Sequence, residues 1–142
     1  LPGRTVLTPH PGEMSRLWGK SIEEIQRDRL ETARQAAHVW NQTVVLKGAF
    51  TVVASPDGRA SISGIANPGL ASAGTGDVLS GVIGGLLAQG LTPFKAAQCG
   101  VYLHAAAGEL VKAELGDAGM VASDLLLALP RAIRNLKETP RL

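Results

Sequence analysis

The chain has little of what marks secreted, nucleic-acid-binding or membrane proteins. Its single cysteine, Cys99, excludes an internal disulfide framework and favours a reducing compartment. The formal charge is only +2, and the basic residues are interspersed with acidic ones, so no basic face predicts nucleic-acid binding. The longest apolar stretch, residues 78–91, is interrupted by serine, glycine and glutamine and is too short to span a bilayer. We therefore expect no nucleic-acid partner, no membrane association and a cytoplasmic location.

What is present suits one folded domain. The 142 residues are 45% hydrophobic and 18% charged, which is typical of a globular protein rather than a disordered one. Hydrophobic periodicity and turn residues predict strands at 5–8, 43–46, 51–54 and 60–65, and helices at 13–18, 22–40, 77–89, 93–115 and 124–136. This order is typical of the end of an α/β domain, in which helices cover both faces of a sheet.

Local signals fix several boundaries in this prediction. Ser21 followed by Glu24 is a capping-box pattern that opens the second helix. Ser123 is expected to cap the last helix. The turn residues 56–58 are expected to join the last two strands as a hairpin.

The sequence Gly74-Thr75-Gly76-Asp77 predicts a phosphate site at a helix start. Its glycines let the backbone approach a ligand, and the first amides of the following helix form an anion site. Asp77 would lie close enough to that anion to accept a proton from a substrate hydroxyl. A plain helix cap is an equally good interpretation of the four residues alone, since Asp is a favoured capping residue.

The helix after this motif favours the site. Gly81, Gly84 and Gly85 interrupt it, although glycine within a helix costs about 1 kcal/mol relative to alanine. That cost is understandable if neighbours press against the helix backbone, so we expect a deeply buried helix whose N-terminus opens into a pocket.

A second group follows the first predicted strand, where α/β proteins bind ligands. His10 and Glu13 project from a loop stiffened by Pro9 and Pro11. Glu13 could hold a Mg²⁺-bound water, because Mg²⁺ takes few protein carboxylates. Alternatively, Glu13 is a first-turn acid that interacts with a helix dipole, and His10 has a surface or packing role.

A third group lies at the end of the second strand. Lys47 and Gly48 place a cation and free backbone amides at the carboxyl edge of the sheet, where a nucleotide phosphate or ribose could lie. Taken alone, a lysine in this position is most often a solvated charge. His104 is expected to be a packed histidine, His38 a surface residue and Cys99 a small core residue.

Together these groups resemble the ADP- or ATP-dependent NAD(P)H-hydrate dehydratases of the ribokinase-like superfamily. The matching segments are TPHPGE at 8–13, LKGAFT at 46–51, NPGLA at 67–71, GTGD at 74–77 with the glycine-rich helix to Gly85, and 119–126. They run in the family's order over nearly the whole chain. The resemblance implies a ribokinase-like three-layer α/β/α fold, of which residues 1–142 would be the C-terminal portion.

The resemblance also implies a reaction and the residues that perform it. The family restores NAD(P)H from its S hydrate: a nucleotide phosphorylates the hydroxyl, and phosphate then leaves by elimination. Asp77 would be the catalytic base, Gly74, Thr75 and Gly76 the anion hole, and His10 and Asp77 the contacts to the hydrate. The nucleotide would be bound by Lys47, Gly48, Ala49, Phe50, Thr51 and Gly76. The implied cofactors are Mg²⁺, reached from Glu13 through water, and ADP or ATP as co-substrate.

Two other functions remain open on the sequence. One is a ribokinase-like small-molecule kinase. Such kinases generally have an Asn-x-x-Glu motif that supports Mg²⁺; here His10 stands in the place of the Asn and Glu13 keeps the Glu, which disfavours this function. The other is a non-catalytic nucleotide-binding fragment that works with a missing N-terminal half. Ribokinase-like domains are roughly twice this length, so we expect either a homo-oligomer or association with that half.

Overall fold

The structure is a computed structural model that describes residues 5–116 and 118–138. Within these residues a single sheet is formed by β1 (Val6–Leu7), β2 (Thr43–Leu46), β3 (Val52–Ala54) and β4 (Ala60–Ile62). The helices are α1 (Pro11–Trp18), α2 (Ile22–Arg27), α3 (Arg29–Trp40), α4 (Thr75–Ala88), α5 (Pro93–Leu115) and α6 (Ala122–Glu138), with a 3₁₀ helix at Pro68–Ala71. In this described part of the chain, no helix is long and apolar enough to cross a membrane.

The sheet is covered on both faces, which makes three layers. Successive side chains of a strand point to opposite faces. Val44 and Leu46 therefore join a core with α1, α2 and α3, while Val45 packs against α4 and α5 on the other face. All four residues of β2 are buried as a result. The predicted α/β/α layering is confirmed.

Strand pairing brings two strand ends to one edge of the sheet. β1 pairs with β2 in parallel, and β2, β3 and β4 pair antiparallel in that order. Parallel strands end at the same edge, so the segments after Leu7 and after Leu46 are neighbours. The amide of Lys47 donates a hydrogen bond to the carbonyl of Pro9 at 2.9 Å. The predicted hairpin between β3 and β4 is confirmed, with strands shorter than expected.

The predicted helix over residues 22–40 is wrong in one respect, because it is two helices. Asp28 has φ −143° and ψ 75°, which no helix allows, and its side chain accepts a hydrogen bond from the amide of Glu31. Aspartate competes with helix geometry in this way, and the break it makes starts α3 in a new direction. The capping box of Ser21 and Glu24 is confirmed.

The predicted cap of the last helix is also wrong. Ser123 lies inside α6, which begins at Ala122. The carboxylate of Asp124 accepts a hydrogen bond from the amide of Val121 at 2.9 Å and satisfies the helix start instead. α6 packs on α5 and α4 through a third apolar cluster that includes Met120 and Leu125.

The expectation that α4 is deeply buried is wrong for this chain. Gly81, Gly84 and Gly85 are exposed, and a Cβ added to any of them would meet no atom within 4 Å. Only one side of α4 is packed. The close approach of helices occurs instead at Gly100 of α5, where a Cβ would lie 2.5 Å from Cγ1 of Ile83 in α4.

These two kinds of glycine predict opposite effects of alanine. Gly100→Ala should lower the free energy of unfolding by about 1–3 kcal/mol, because Ile83 and α4 must shift. Gly84→Ala is the matched control and should raise it by about 0.5–1 kcal/mol, because alanine favours helix and finds open space. Urea denaturation measures both. A loss of stability in Gly84→Ala comparable to that in Gly100→Ala would mean that the glycine face of α4 is covered in solution.

Candidate active site

A cavity of about 650 Å³ opens where the ends of β1 and β2 meet the start of α4 and the middle of α5. This volume is within the usual range for small-molecule sites. The predicted site residues that line it are His10, Lys47, Gly48, Ala49, Thr51, Thr75 and Gly76. Segments far apart in sequence therefore contribute to one pocket, as the strand-end argument predicted.

His10 begins α1 and shapes the first wall of the cavity. Its Nδ1 accepts hydrogen bonds from the amides of Gly12 at 3.0 Å and Glu13 at 3.2 Å. In return, Oε2 of Glu13 accepts from the amide of His10 at 2.7 Å, which completes a capping box. Since Nδ1 is an acceptor, the proton of the neutral ring is on Nε2. The sequence spacing of an acid three residues after His10 could have revealed this cap.

Glu13 is held ionised by these neighbours. The hydrogen bond from the His10 amide, together with the nearby charge of Lys47, lowers the pKa of the Glu13 carboxyl, although partial burial opposes the shift. Oε1 of Glu13 lies 3.6 Å from Nε2 of His10. The first-turn interpretation of Glu13 is thus seen in the structure, and the Glu13 side chain is 46% exposed.

Lys47 places a cation against the start of α4. Its Nζ lies 3.8 Å from Oε2 of Glu13 and only 3.1 Å from where a Cβ on Gly76 would be. The side chain is 24% exposed, so water screens it only partly. A Cβ at residue 76 would press on the ammonium group, so glycine lets Lys47 take this position without a shift.

Arg29 fixes the strand end that carries Lys47, and sequence reasoning missed it. Its Nη2 donates to the carbonyls of Leu46 at 2.9 Å and Lys47 at 3.2 Å. Its Nη1 would lie 2.9 Å from a Cβ on Gly48, whose φ is +147°. Burial lowers the pKa of the guanidinium. No sequence signal links Arg29 to a strand end 17 residues away, since the contact depends on how α3 packs on the sheet.

Within the described residues, the backbone at the start of α4 leaves the amides of Gly74 and Gly76 without an acceptor. The amide of Thr75 bonds to the carbonyl of Ser72 and that of Asp77 to the carbonyl of Gly74. The Thr75 hydroxyl is buried and donates towards the carbonyls of Leu70 and Ser72. Of these two glycines, Gly76 is the residue that lies against Lys47. A cation and an unpaired amide at a helix start are the features from which anion sites are built.

The remaining predicted residues lie outside the cavity wall. Gly74, Phe50, Glu13 and Asp77 do not line it. Asp77 is exposed in the first turn of α4, and its carboxylate has no hydrogen bond or ion pair with the rest of the described chain. Phe50 is 52% exposed with φ +55°, which places its ring on the surface.

His104 also lines the cavity. It is 8% exposed on α5, and its Nε2 lies 2.8 Å from the carbonyl of Thr75. Burial is the main cause that lowers the pKa of its imidazole, and the charge of Lys47 lowers it further. The expected burial of His104 is confirmed, but its contact with α4 could not be read from the sequence.

Comparison with known proteins decides the family. A family model described as NAD(P)H-hydrate dehydratase matches residues 2–131. The chain belongs to the NAD(P)H-hydrate dehydratase family. The predicted family is thereby confirmed from a match that covers all of the segments that suggested it.

Relatives of known name agree with this assignment. The chain is 53% identical to the bifunctional NAD(P)H-hydrate repair enzyme Nnr of Moorella thermoacetica, over 96% of this chain and 26% of that protein. It is 46% identical to the ADP-dependent (S)-NAD(P)H-hydrate dehydratase of Neisseria meningitidis, over 92% of this chain and 44% of that protein. The chain thus spans between a quarter and a half of these relatives.

Solved structures show the same fold. The ADP/ATP-dependent NAD(P)H-hydrate dehydratase of Bacillus subtilis, co-crystallised with ATP and Mg²⁺, is 40% identical with a TM-score of 0.88, covering 92% of this chain and 47% of that one. A ribokinase-like superfamily protein of Enterococcus faecalis is 31% identical with a TM-score of 0.76, covering 94% and 45%. The ribokinase-like fold predicted for this NAD(P)H-hydrate dehydratase family member is confirmed.

The depressed pKa of His104 predicts a pH-dependent stability. The folded chain binds this proton less tightly than the unfolded chain, whose imidazole has a pKa near 6.5. The contribution of His104 to stability is therefore full above that value and is lost as pH falls through the folded pKa. Between pH 7 and pH 5 the free energy of unfolding should fall more for the native chain than for His104→Gln, as urea denaturation would show. Equal losses in both proteins would contradict the neutral, buried state of His104.

Proposed function

We propose that this chain carries the nucleotide-binding part of an ADP- or ATP-dependent (S)-NAD(P)H-hydrate dehydratase. One observation carries the proposal: Nζ of Lys47 lies against Gly76 at the start of α4, inside a cavity large enough for a nucleotide. Family membership supplies the reaction class, and the cation with its neighbouring free amide supplies the phosphate site. Residues 1–142 would then be the C-terminal portion of a ribokinase-like domain.

In this proposal the nucleotide lies in the cavity with its phosphates towards Gly76 and Lys47. Gly48, Ala49 and Thr51 would surround its adenosine side, since they line the same pocket. His10 forms the wall nearest the hydrate, and its Nε2 proton is available as a donor because Nδ1 is engaged. Phe50 lies outside the wall and would contribute only through the backbone of this turn.

Asp77 would act at the rim of the cavity. The hydrate's hydroxyl oxygen attacks the terminal phosphoryl group, its proton passes to the Asp77 carboxylate, and the shortened nucleotide leaves. Phosphate then leaves the hydrate with the electrons of its C–O bond, a proton is lost from the neighbouring carbon, and the double bond of NAD(P)H returns. The exposed, unpaired state of Asp77 suits a base that becomes engaged only when substrate is bound.

The site also fits Mg²⁺ in the manner of phosphate-transfer enzymes. The described residues contain no group of three or more His, Cys, Asp or Glu side chains that could hold a metal ion. Mg²⁺ usually takes its ligands from phosphates and water with one or two carboxylates, and it neutralises phosphate charge. The partly exposed carboxylate of Glu13 would hold such an ion through water.

The hydrate side of the site would be completed by further polypeptide. Asp77 and the glycine face of α4 are exposed, and β1 pairs only with β2 among the described strands. Solved relatives are about twice as long as this chain. We propose that the rest of a ribokinase-like domain, or a second copy in a homo-oligomer, packs there. A reducing cytoplasmic setting is proposed from the single cysteine.

The test of the proposed reaction is return of reduced-nicotinamide absorbance from chemically prepared hydrate with ADP or ATP. The longest natural polypeptide that contains this chain is used. Asp77→Asn should lower turnover by about 10²–10⁴-fold through loss of the base, with nucleotide affinity retained. Glu23→Gln is the matched control, because Glu23 is likewise an exposed first-turn acid but lies in α2, and it should leave turnover unchanged. Unchanged turnover in Asp77→Asn would refute its role.

A second candidate function is a nucleotide-binding part without activity of its own. It is favoured because Asp77, the proposed base, does not line the cavity, whereas most of the proposed nucleotide-binding residues do. Calorimetry of this chain with AMP measures nucleotide binding, and the hydrate assay on the longest natural polypeptide that contains the chain measures turnover. AMP binding by the chain together with no turnover by that longer polypeptide supports the second candidate, whereas turnover by the longer polypeptide excludes it.

A further inference from the structure

His104 is a buried polar side chain that the proposed reaction does not use. It lies in the middle of α5, is 8% exposed, and lines the same cavity as Lys47 and Gly48. Buried polar groups need hydrogen-bond partners, so the partner of a buried histidine is the group whose position the ring helps to fix. Here the partner belongs to another helix, at the start of α4.

The direction of this hydrogen bond follows from chemistry. Nε2 of His104 lies 2.8 Å from the carbonyl oxygen of Thr75. A carbonyl oxygen only accepts, so Nε2 must carry the proton and donate it. Burial and the nearby charge of Lys47 lower the pKa of the imidazole, so the donor is a neutral ring with its proton on Nε2.

The held carbonyl fixes the amide of the next residue. The carbonyl of Thr75 and the N–H of Gly76 belong to one peptide unit, which is planar and trans, so they point in opposite directions. A hydrogen bond that orients the carbonyl therefore orients the N–H. Among residues 75–77, which open α4, the Gly76 amide has no acceptor within the described part of the chain.

A second set of bonds holds the other side of the same residue. The hydroxyl of Thr75 is buried and donates towards the carbonyls of Leu70 and Ser72. The side chain of Thr75 is thus bound to the preceding turn, and its carbonyl is bound to His104 of α5. An anion site that is fixed before the ligand arrives needs no reorganisation on binding.

We propose that His104 is a positioning residue for phosphate binding, which aims the Gly76 amide into the cavity by donating its Nε2 proton to the Thr75 carbonyl. The proposal deepens the proposed function and rests on it for the identity of the anion, a nucleotide phosphate. The arrangement of the peptide itself does not depend on that function.

Two substitutions separate the hydrogen bond from the packing. His104→Gln keeps a donor, since the amide nitrogen of glutamine reaches about as far as Nε2. His104→Leu removes the donor and keeps an apolar side chain in the space. Leu103→Val is the matched control: the adjacent residue is 5% exposed, packs in the α5–α6 cluster and does not line the cavity.

The measurement is ¹H–¹⁵N NMR of the chain, alone and titrated with AMP and with inorganic phosphate. Without ligand, the Gly76 amide resonance should move in His104→Leu and keep its place in His104→Gln and Leu103→Val. AMP affinity should fall at least tenfold in His104→Leu. In His104→Gln and Leu103→Val it should stay within threefold of the affinity of the native chain. Imidazole ¹⁵N shifts should show the proton of His104 on Nε2.

Several outcomes would overturn the proposal. They are an unmoved Gly76 resonance in His104→Leu, equal effects in His104→Leu and Leu103→Val, and failure of His104→Gln to retain the native resonance. If the native chain binds neither AMP nor phosphate, the proposed function fails. The ligand-free resonance of Gly76 then still decides whether His104 positions the peptide.

Discussion

The parallel pairing of β1 with β2 is the constraint on which the site depends. Both strands end at the same edge of the sheet, and the hydrogen bond from the Lys47 amide to the Pro9 carbonyl joins the segments that follow them. One segment starts α1 with His10 and Glu13, and the other carries Lys47 into the cavity. Because both sheet faces are covered by helices, the strands cannot slip in register without exposing core side chains.

The start of α4 completes the site from a third direction. In the proposed site, its helix dipole and free Gly76 amide would attract an anion, and Lys47 would add a full charge beside them. Three helices hold this arrangement: α3 through Arg29, α5 through His104 and α1 through its capping box. A fixed arrangement of donors of this kind stabilises developing phosphoryl charge better than flexible side chains would.

Much of the fold could be predicted because its signals are local. The β-branched run of β2, the Ser21–Glu24 capping box and the hairpin turn each act within a few residues, and the structure has all three. The motif at Gly74–Asp77 predicted a helix start from its own residues, whereas its interpretation as a phosphate site also needed the neighbouring segments. The site residues at strand ends followed from the general rule that parallel strands share an edge.

What could not be predicted depends on packing between distant elements. The break at Asp28 reflects a side-chain cap that competes with helix continuity, and the roles of Arg29 and His104 appear only when α3 and α5 lie against the site. The glycines of α4 indicated close packing, but the neighbour that approaches closely lies at Gly100 instead. Sequence shows that glycine is required somewhere in a helix, but not which face meets another element.

The central claim is that the cavity holds a nucleotide with its phosphate between Lys47 and Gly76. The most direct measurement is a crystal structure of the chain with AMP bound. The account predicts phosphate oxygens at about 3 Å from both the Gly76 amide and Nζ of Lys47, with the adenosine beside Gly48 to Thr51. A nucleotide bound elsewhere, or one whose phosphate contacts neither group, would contradict it.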